Sequence, residues 1–429
     1  MPPFALVIHA CPSAGRRPGA VPVAALAYAA AMLLGAAAAG CGGTAGPERG
    51  PAWAPPESGT VPAPAAGDSL PPLAVRWRVE VGAPPLSASV GADGAHAYLA
   101  TAGAVRAYDL ATGAPRWSAA GPSSRPDILV SDGRLVVAAS GVTNAGEVVA
   151  LDAASGAVRW RAAPPDYVGA AAPLLDGARV YVGTSGPAGN RAGPTASTVL
   201  AYDRETGALR WSASVGAGWA FRSGVRGFAL ADSTLYVSAT QCVIGPCGQV
   251  VSWVIALDAG SGREQWRLRV GEPTGQTMLI RAVRPYKGLL LASDAGSNAA
   301  LAIDVAARRV AWRTAFRATG FGPADAPAVD AAGIAYVGSA DEYVYALDPA
   351  TGRKRWGTYV GGSVYELARC ERGVVAQLMG LRPVRTADGR AGRLTYSDAS
   401  EFAKTNLAVA GDVVVAGTSR GLVAVGCPE

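Results

Sequence analysis

The sequence predicts an all-β fold, specifically an eight-bladed β-propeller. Three observations carry this. A short motif ending in Trp recurs six times, 43 to 55 residues apart. Between its copies lie two further strand patterns, so each repeat holds four strands. Partial repeats near the two ends complete one another.

The copies are Ala107-Tyr-Asp-Leu-Ala-Thr-Gly-Ala-Pro-Arg-Trp117, Ala150-Leu-Asp-Ala-Ala-Ser-Gly-Ala-Val-Arg-Trp160, Ala201-Tyr-Asp-Arg-Glu-Thr-Gly-Ala-Leu-Arg-Trp211, Ala256-Leu-Asp-Ala-Gly-Ser-Gly-Arg-Glu-Gln-Trp266, Ala302-Ile-Asp-Val-Ala-Ala-Arg-Arg-Val-Ala-Trp312 and Ala346-Leu-Asp-Pro-Ala-Thr-Gly-Arg-Lys-Arg-Trp356. The pattern reads strand, tight turn, strand. Asp109, Asp152, Asp203, Asp258, Asp304 and Asp348 each accept backbone N–H groups of the following turn. Gly four residues later supplies positive φ. Arg308 stands there in the fifth copy, so that turn must differ. The small Ala suits close strand packing. Trp117, Trp160, Trp211, Trp266, Trp312 and Trp356 supply flat surfaces to bury between units.

The other two patterns are a strand ending in an Asp/Gly turn, as in Ile128–Gly133, Pro173–Gly177 and Leu407–Asp412, and an apolar strand ending small, as in Ala97–Thr101, Val180–Thr184, Ala335–Ser339 and Val413–Gly417. Third strands are expected to end at the six motif Asp residues, at Asp398 of a degenerate seventh copy (Leu394–Ala399, without Trp), and at Gly426. Val75–Val81 reads as a fourth strand with no preceding three. Pairing it with residues 421–426 closes the ring and removes exposed edges. The count is eight blades, or seven if the degenerate copy is an insertion.

Composition fits a globular chain. Half of the 429 residues are hydrophobic and 16% are charged. The formal net charge is +6, and outside residues 1–40 there are 36 basic and 32 acidic side chains. A surplus that small does not point to nucleic acid. His9 and His96 are the two histidines. This disfavours His-rich zinc sites and a Ser-His-Asp triad. His96, beside Asp93-Gly94, reads as a turn residue. Trp253 and Tyr343 read as blade packing.

Residues 1–40 read as a signal peptide. Arg16 and Arg17 precede an apolar run from Val21 to Ala39, which ends in Ala38-Ala39-Gly40-Cys41. Small residues before a Cys resemble a lipobox, with Cys41 lipidated. The alternatives are an ordinary cleaved signal or an uncleaved anchor, and each implies export. Residues 41–72, with eight Pro between 42 and 72, read as a Pro/Gly-rich tether. The propeller then spans 73–429. Gly42 suits outer-membrane sorting where such a membrane exists. Export permits disulfides. Cys242 and Cys247 flank a hairpin turn and form one candidate pair. Cys370, after the first strand of blade 7, and Cys427, after the third of blade 8, form another on one face of the ring.

The Ala-Leu-Asp…Thr-Gly…Trp repeat resembles the quinoprotein-type (PQQ-like) β-propeller family over residues 73–429. One branch comprises quinone-dependent dehydrogenases, for which the resemblance implies calcium and commonly adjacent cysteines. This chain has no adjacent cysteines, and neither a calcium-binding set nor a catalytic Asp can be assigned to it. PQQ and calcium are therefore not expected. The other branch is similar to BamB-type outer-membrane barrel-assembly lipoproteins. It implies a lipid anchor, eight blades, no quinone, and partners among envelope proteins.

The expected function is an exported, membrane-anchored scaffold that binds proteins in the envelope and is not an enzyme. A PQQ-dependent dehydrogenase and a carbohydrate- or cell-wall-binding propeller are the alternatives. The loops before each first strand surround one mouth of the ring. Their longest inserts bring candidate binding residues Trp219, Arg222, Arg226, Arg281, Arg284 and Tyr286. No metal-ligating or catalytic set is found.

Overall fold

The motif's Ala and Trp face each other across two paired strands in every one of the six copies. The computed structural model describes residues 70–81, 89–122, 126–140, 146–164, 167–168, 173–185, 197–216, 223–244, 249–270, 279–317, 326–395 and 406–428. The described residues form strands and turns, with no helix. The leader, Cys41, the tether up to Ser69, Trp219, Arg222 and Cys247 lie outside them.

Eight antiparallel blades result. Blade 1 is Ser89–Ala92, His96–Thr101, Ala104–Asp109 and Pro115–Ala120. Blade 2 is Pro126–Ser131, Leu135–Ser140, Glu147–Asp152 and Val158–Ala162. Blade 3 is Leu174–Leu175, Arg179–Ser185, Thr198–Asp203 and Leu209–Ser214. Blade 4 is Ser223–Ala231, Thr234–Ile244, Gln249–Asp258 and Glu264–Val270. A single bridge, Ser185 to Gly224, ties it to blade 3. Blade 5 is Ile280–Tyr286, Leu289–Asp294, Ala299–Asp304 and Arg309–Ala315. Blade 6 is Ala328–Val329, Ala335–Gly338, Tyr343–Leu347 and Lys354–Tyr359. Blade 7 has three strands, Glu366–Arg369, Gly373–Gln377 and Leu381–Arg385. Blade 8 is Leu407–Ala410, Val413–Gly417 and Gly421–Gly426, completed by Val75–Glu80. Val79 pairs with Leu422 and Glu80 with Gly421, so the two ends of the sequence share one sheet as expected.

The motif works through a β-bulge. Ala107 pairs with Trp117, but Tyr108 pairs with Pro115, which leaves Arg116 extra. The shift recurs after Ala150, Ala201, Ala256, Ala302 and Ala346. A bulge re-aims the extra side chain. Here Arg116, Arg159, Arg210 and Arg355 reach back to Asp109, Asp152, Asp203 and Asp348. The other oxygen of the Asp accepts turn N–H groups, as Asp109 does from Thr112 at 2.9 Å. The arginine hydrogen bonds hold Asp109 and Asp152 down to about 2.

Each Trp leaves its own blade and staples the next. Trp77, Trp117, Trp160 and Trp211 lie over Gly113, Gly156, Gly207 and Gly262, where an added Cβ would come within 2.5–2.8 Å of the ring. These glycines also have φ of 70° to 73°, so two requirements coincide there. The indole N–H of Trp77, Trp117, Trp160, Trp211 and Trp312 donates to the carbonyls of Leu110, Ala153, Arg204, Ala259 and Pro349, at 2.8–3.1 Å. Burying roughly 200 Å² of indole at about 25 cal/mol/Å² stabilises a seam by up to about 5 kcal/mol before entropy.

The structure corrects the seventh copy. Its third strand is Leu381–Arg385, not the segment ending at Asp398. Gly389, with φ 73°, sits under Trp356 as the other turn glycines sit under their tryptophans. Arg385 therefore occupies the Asp position, and its partner is Asp388 in the turn. The charge at the Asp position is inverted, so the Asp cue is lost there and reappears only at Asp398. The fourth strand is reduced to bridges from Leu381 to Thr395 and from Val384 to Ala391. The blade exists without its full motif, and the count is eight.

A second pattern ties a turn to the strand that follows it. Asp176 and Asp330, in turns between first and second strands, accept the hydroxyls of Tyr181 and Tyr336 at 2.7 Å. Asp93 does the same for Tyr98. These tyrosines are fully buried, and burial pushes their hydroxyls upward. The clamp fastens inner turns to the blade core.

Candidate functional site

First strands of neighbouring blades lie against one another around the axis, and fourth strands form the rim. Departures from regular pairing on a first strand therefore matter most for what the axis presents. In blade 4, Val225 pairs with Ala239 and Gly227 with Ser238, which leaves Arg226 bulged. In blade 5, Ile280 pairs with Asp294 and Val283 with Ala292, which leaves Arg281 and Ala282 unmatched. Each of these two neighbouring irregularities carries an arginine.

The two strands also touch. A Cβ at Gly227 would lie 2.3 Å from the Arg281 carbonyl oxygen, so no larger residue fits there. The Ser238 hydroxyl donates to that carbonyl at 3.0 Å. Arg226 is half-buried, and its Nε donates to Thr240 Oγ1 at 2.8 Å. Arg281 and Arg284 are exposed on the blade 5 strand. The structure thus brings Arg226, Arg281 and Arg284 onto adjacent inner strands.

Tyr286 does not join them. It ends its strand at the turn toward the opposite face and packs in the seam with blade 6. Its hydroxyl lies 2.6 Å from where a Cβ on Gly333 would be. Counting from the preceding loop placed it at the mouth. A seven-residue strand runs the depth of the ring and carries it to the far end. Trp253 packs against the core between blades 3 and 4 and Tyr343 against that between blades 5 and 6, and Trp253 donates to Gln241 Oε1 at 2.9 Å. His96 opens the second strand of blade 1, with Nδ1 3.5 Å from Asp93 Oδ1. Cys370 and Cys427 form a disulfide. Cys242 is buried, and its pairing with Cys247 falls outside the described residues.

One cluster was not foreseen. Phe316 stacks on Tyr345 with centroids 4.7 Å apart, Tyr345 on Tyr343 at 5.6 Å, and Tyr343 meets Tyr359 edge-on at 5.6 Å. Lys354 Nζ lies 4.7 Å from the Tyr345 ring centre, and burial lowers its affinity for the proton. The ladder runs from buried Phe316 to Tyr359, which is 56% exposed. Its signal was the alternation Tyr343-Val-Tyr345 on a third strand, with Tyr359 opposite Tyr343 in register.

Carboxylates at the repeat turns are engaged with turn amides and arginines. Among the described residues, no group of three His, Cys, Asp or Glu side chains converges as a metal site would require.

Comparison with known proteins extends the geometry. The model of the family described as "Outer membrane protein assembly factor BamB" matches residues 74–220, 195–358 and 250–426. The chain belongs to this family. The BamB-family matches run from the first strand of the ring to its last. Among solved structures, BamB from Moraxella catarrhalis aligns with a TM-score of 0.59 at 18% identity, covering 83% of this chain and 97% of that one. A computationally designed protein, Ika8, aligns at 0.60 and 17%, covering 86% and 100%. A europium-containing methanol dehydrogenase aligns at 0.58 and 12%, covering 80% and 84%. Identities this low establish the shared fold alone. No curated protein matches the chain.

Proposed function

We propose that this BamB-family chain is an exported, lipid-anchored propeller that binds protein partners in the cell envelope, and that it serves outer-membrane β-barrel assembly. The family match over the whole ring carries this reading. Small residues up to Cys41 support lipidation. The first strands of blades 4 and 5 form the binding face. Their bulged arginines and exposed Arg284 favour an acidic segment of the partner. The first described residue, Leu70, bridges to Gly392 beside blade 7, and the chain then enters blade 8. The tether thus meets the ring away from blades 4 and 5.

Carboxylates engaged at turns also support a chain that uses neither PQQ nor calcium and catalyses no reaction. Crosslinking of the tagged full-length protein in membranes, with mass spectrometry of the captured protein, tests the role. Capture of a barrel-assembly protein is expected, lost in Cys41→Ala and reduced at least about tenfold in Arg226→Glu/Arg281→Glu/Arg284→Glu. Equal capture by the charge-reversed chain would remove blades 4 and 5 as the face.

The exposed end of the aromatic ladder favours a second reading, a carbohydrate- or cell-wall-binding propeller in which a sugar stacks on Tyr359. Titration with cell-wall polysaccharide tests it. Binding that is abolished by Tyr359→Ala would support it, and binding unchanged by that substitution would reject it.

A further inference from the structure

The seam between blades 7 and 8 cannot form the tryptophan staple. Arg393 stands eight residues after Arg385, where the other copies place Trp. The receiving turn is missing as well, because the third and fourth strands of blade 8 come from opposite ends of the chain and no turn joins them.

The disulfide occupies two positions that the repeat defines. In blades 1 to 4, the residue after the motif Asp donates its N–H to the inner turn of its own blade: Leu110 to Ala95, Ala153 to Arg134, Arg204 to Ala178 and Ala259 to Ser233, at 2.8–3.0 Å. Cys427 donates to Asp412 in the same way, at 2.8 Å. It therefore sits where the neighbouring blade's staple arrives. Cys370 donates to Gly373, as Asp93 does to His96 and Asp176 to Arg179. It stands at the position of the inner-turn aspartates. At the seam between blades 2 and 3 the same two positions hold Asp132 and Arg204, paired at 2.5 Å. Across the seam between blades 7 and 8 the ion pair has become a covalent bond. Pro428 fills the space over Gly373 beside it.

We propose that the Cys370–Cys427 disulfide is a ring-closing latch that replaces the staple at the seam between blades 7 and 8, so that stable closure of this propeller requires oxidation. Closure forms the Sγ–Sγ bond. Two protons and two electrons leave the thiols, and a disulfide-donating protein accepts them, its own disulfide becoming two thiols. The export reading bears only on where that donor is met, and the test does not depend on it.

The test is native-state hydrogen exchange on the purified full-length chain, oxidised against Cys370→Ser/Cys427→Ser. Amides pairing Val75–Glu80 with Gly421–Gly426 should exchange about tenfold or more faster without the latch, while Thr198–Asp203 in blade 3 stays unchanged. If the serine variant does not fold, the folded wild type reduced with a phosphine should show the same local change. A circular permutant supplies the decisive contrast, with Cys427 retained and joined to Ala74 through a short turn, and new ends between Asp232 and Ser233. There blade 8 is closed by the chain itself, and loss of both cysteines should no longer speed its exchange. Equal protection of blade 8 with and without the disulfide would overturn the proposal. So would a permutant as sensitive to the serine pair as the native chain.

Discussion

The seam between blades 2 and 3 and the seam between blades 4 and 5 are built from the same motif and differ in almost every device. At the first, Trp160 is buried over Gly207, its indole donates to the Arg204 carbonyl, and the Arg204 guanidinium crosses back to Asp132. At the second, Trp266 is only partly buried, and Arg308, with φ 52°, replaces the turn glycine. Near the axis the order reverses. Blades 4 and 5 touch through Gly227 and the Arg281 carbonyl, and there the bulged arginines lie. Regularity at the rim holds the ring together. Irregularity at the axis, beside the relaxed rim seam, is where a binding face can be shaped without weakening the staples.

The strongest way to break this comparison is at the rim. Trp160→Ala should cost about 3–5 kcal/mol in urea unfolding, and Trp266→Ala at least about 1 kcal/mol less. Equal costs would mean that the glycine contact and indole hydrogen bond contribute nothing beyond buried area. Next, Gly227→Ala should cost about 2–3 kcal/mol, because its Cβ meets backbone that must shift. It should also reduce partner capture, whereas Gly94→Ala, whose Cβ meets nothing within 4 Å, should do neither.

Acid acts at the rim turns with a smaller effect. Asp109 and Asp152 are held at about 2, against 3.8 for the ordinary side chain. A carboxyl depressed on folding stabilises fully above its unfolded value and loses that contribution as pH falls through its folded one. Tm should therefore hold down to about pH 4 and drop between pH 4 and 2. Arg116→Gln/Arg159→Gln should shrink that drop, and an unchanged profile would show that the pairs do not contribute. The smallest change runs the other way. Arg308→Gly should raise stability by about 1 kcal/mol, since positive φ costs a side chain about that much. A loss instead would show that Arg308 makes a contact the comparison ignores.

Much of the ring was legible because each cue was local. Asp, Gly and Trp sit within one turn and two strands, and their chemistry fixes that hairpin wherever it lies. The seventh copy was misplaced where the cue inverted, with Arg385 standing at the Asp position and paired to Asp388 in the turn. The candidate site was less legible. Arg226, Arg281 and Arg284 were named from their loops, but Tyr286 was carried to the far face by strand length. The ladder through Phe316 joins two blades, which no local pattern reports.

By itself the sequence determined the blade, its hairpin and the closing of the ring by its two ends, while the structure settled the count at eight by placing the seventh blade's third strand at Leu381–Arg385. Only the tertiary structure decided what meets across a seam: which carbonyl takes an indole, which bulge faces which, and that Cys370 and Cys427 stand where Asp132 and Arg204 stand elsewhere. Those contacts join residues dozens of positions apart. Their geometry follows from blade twist and ring closure, which no window of sequence contains.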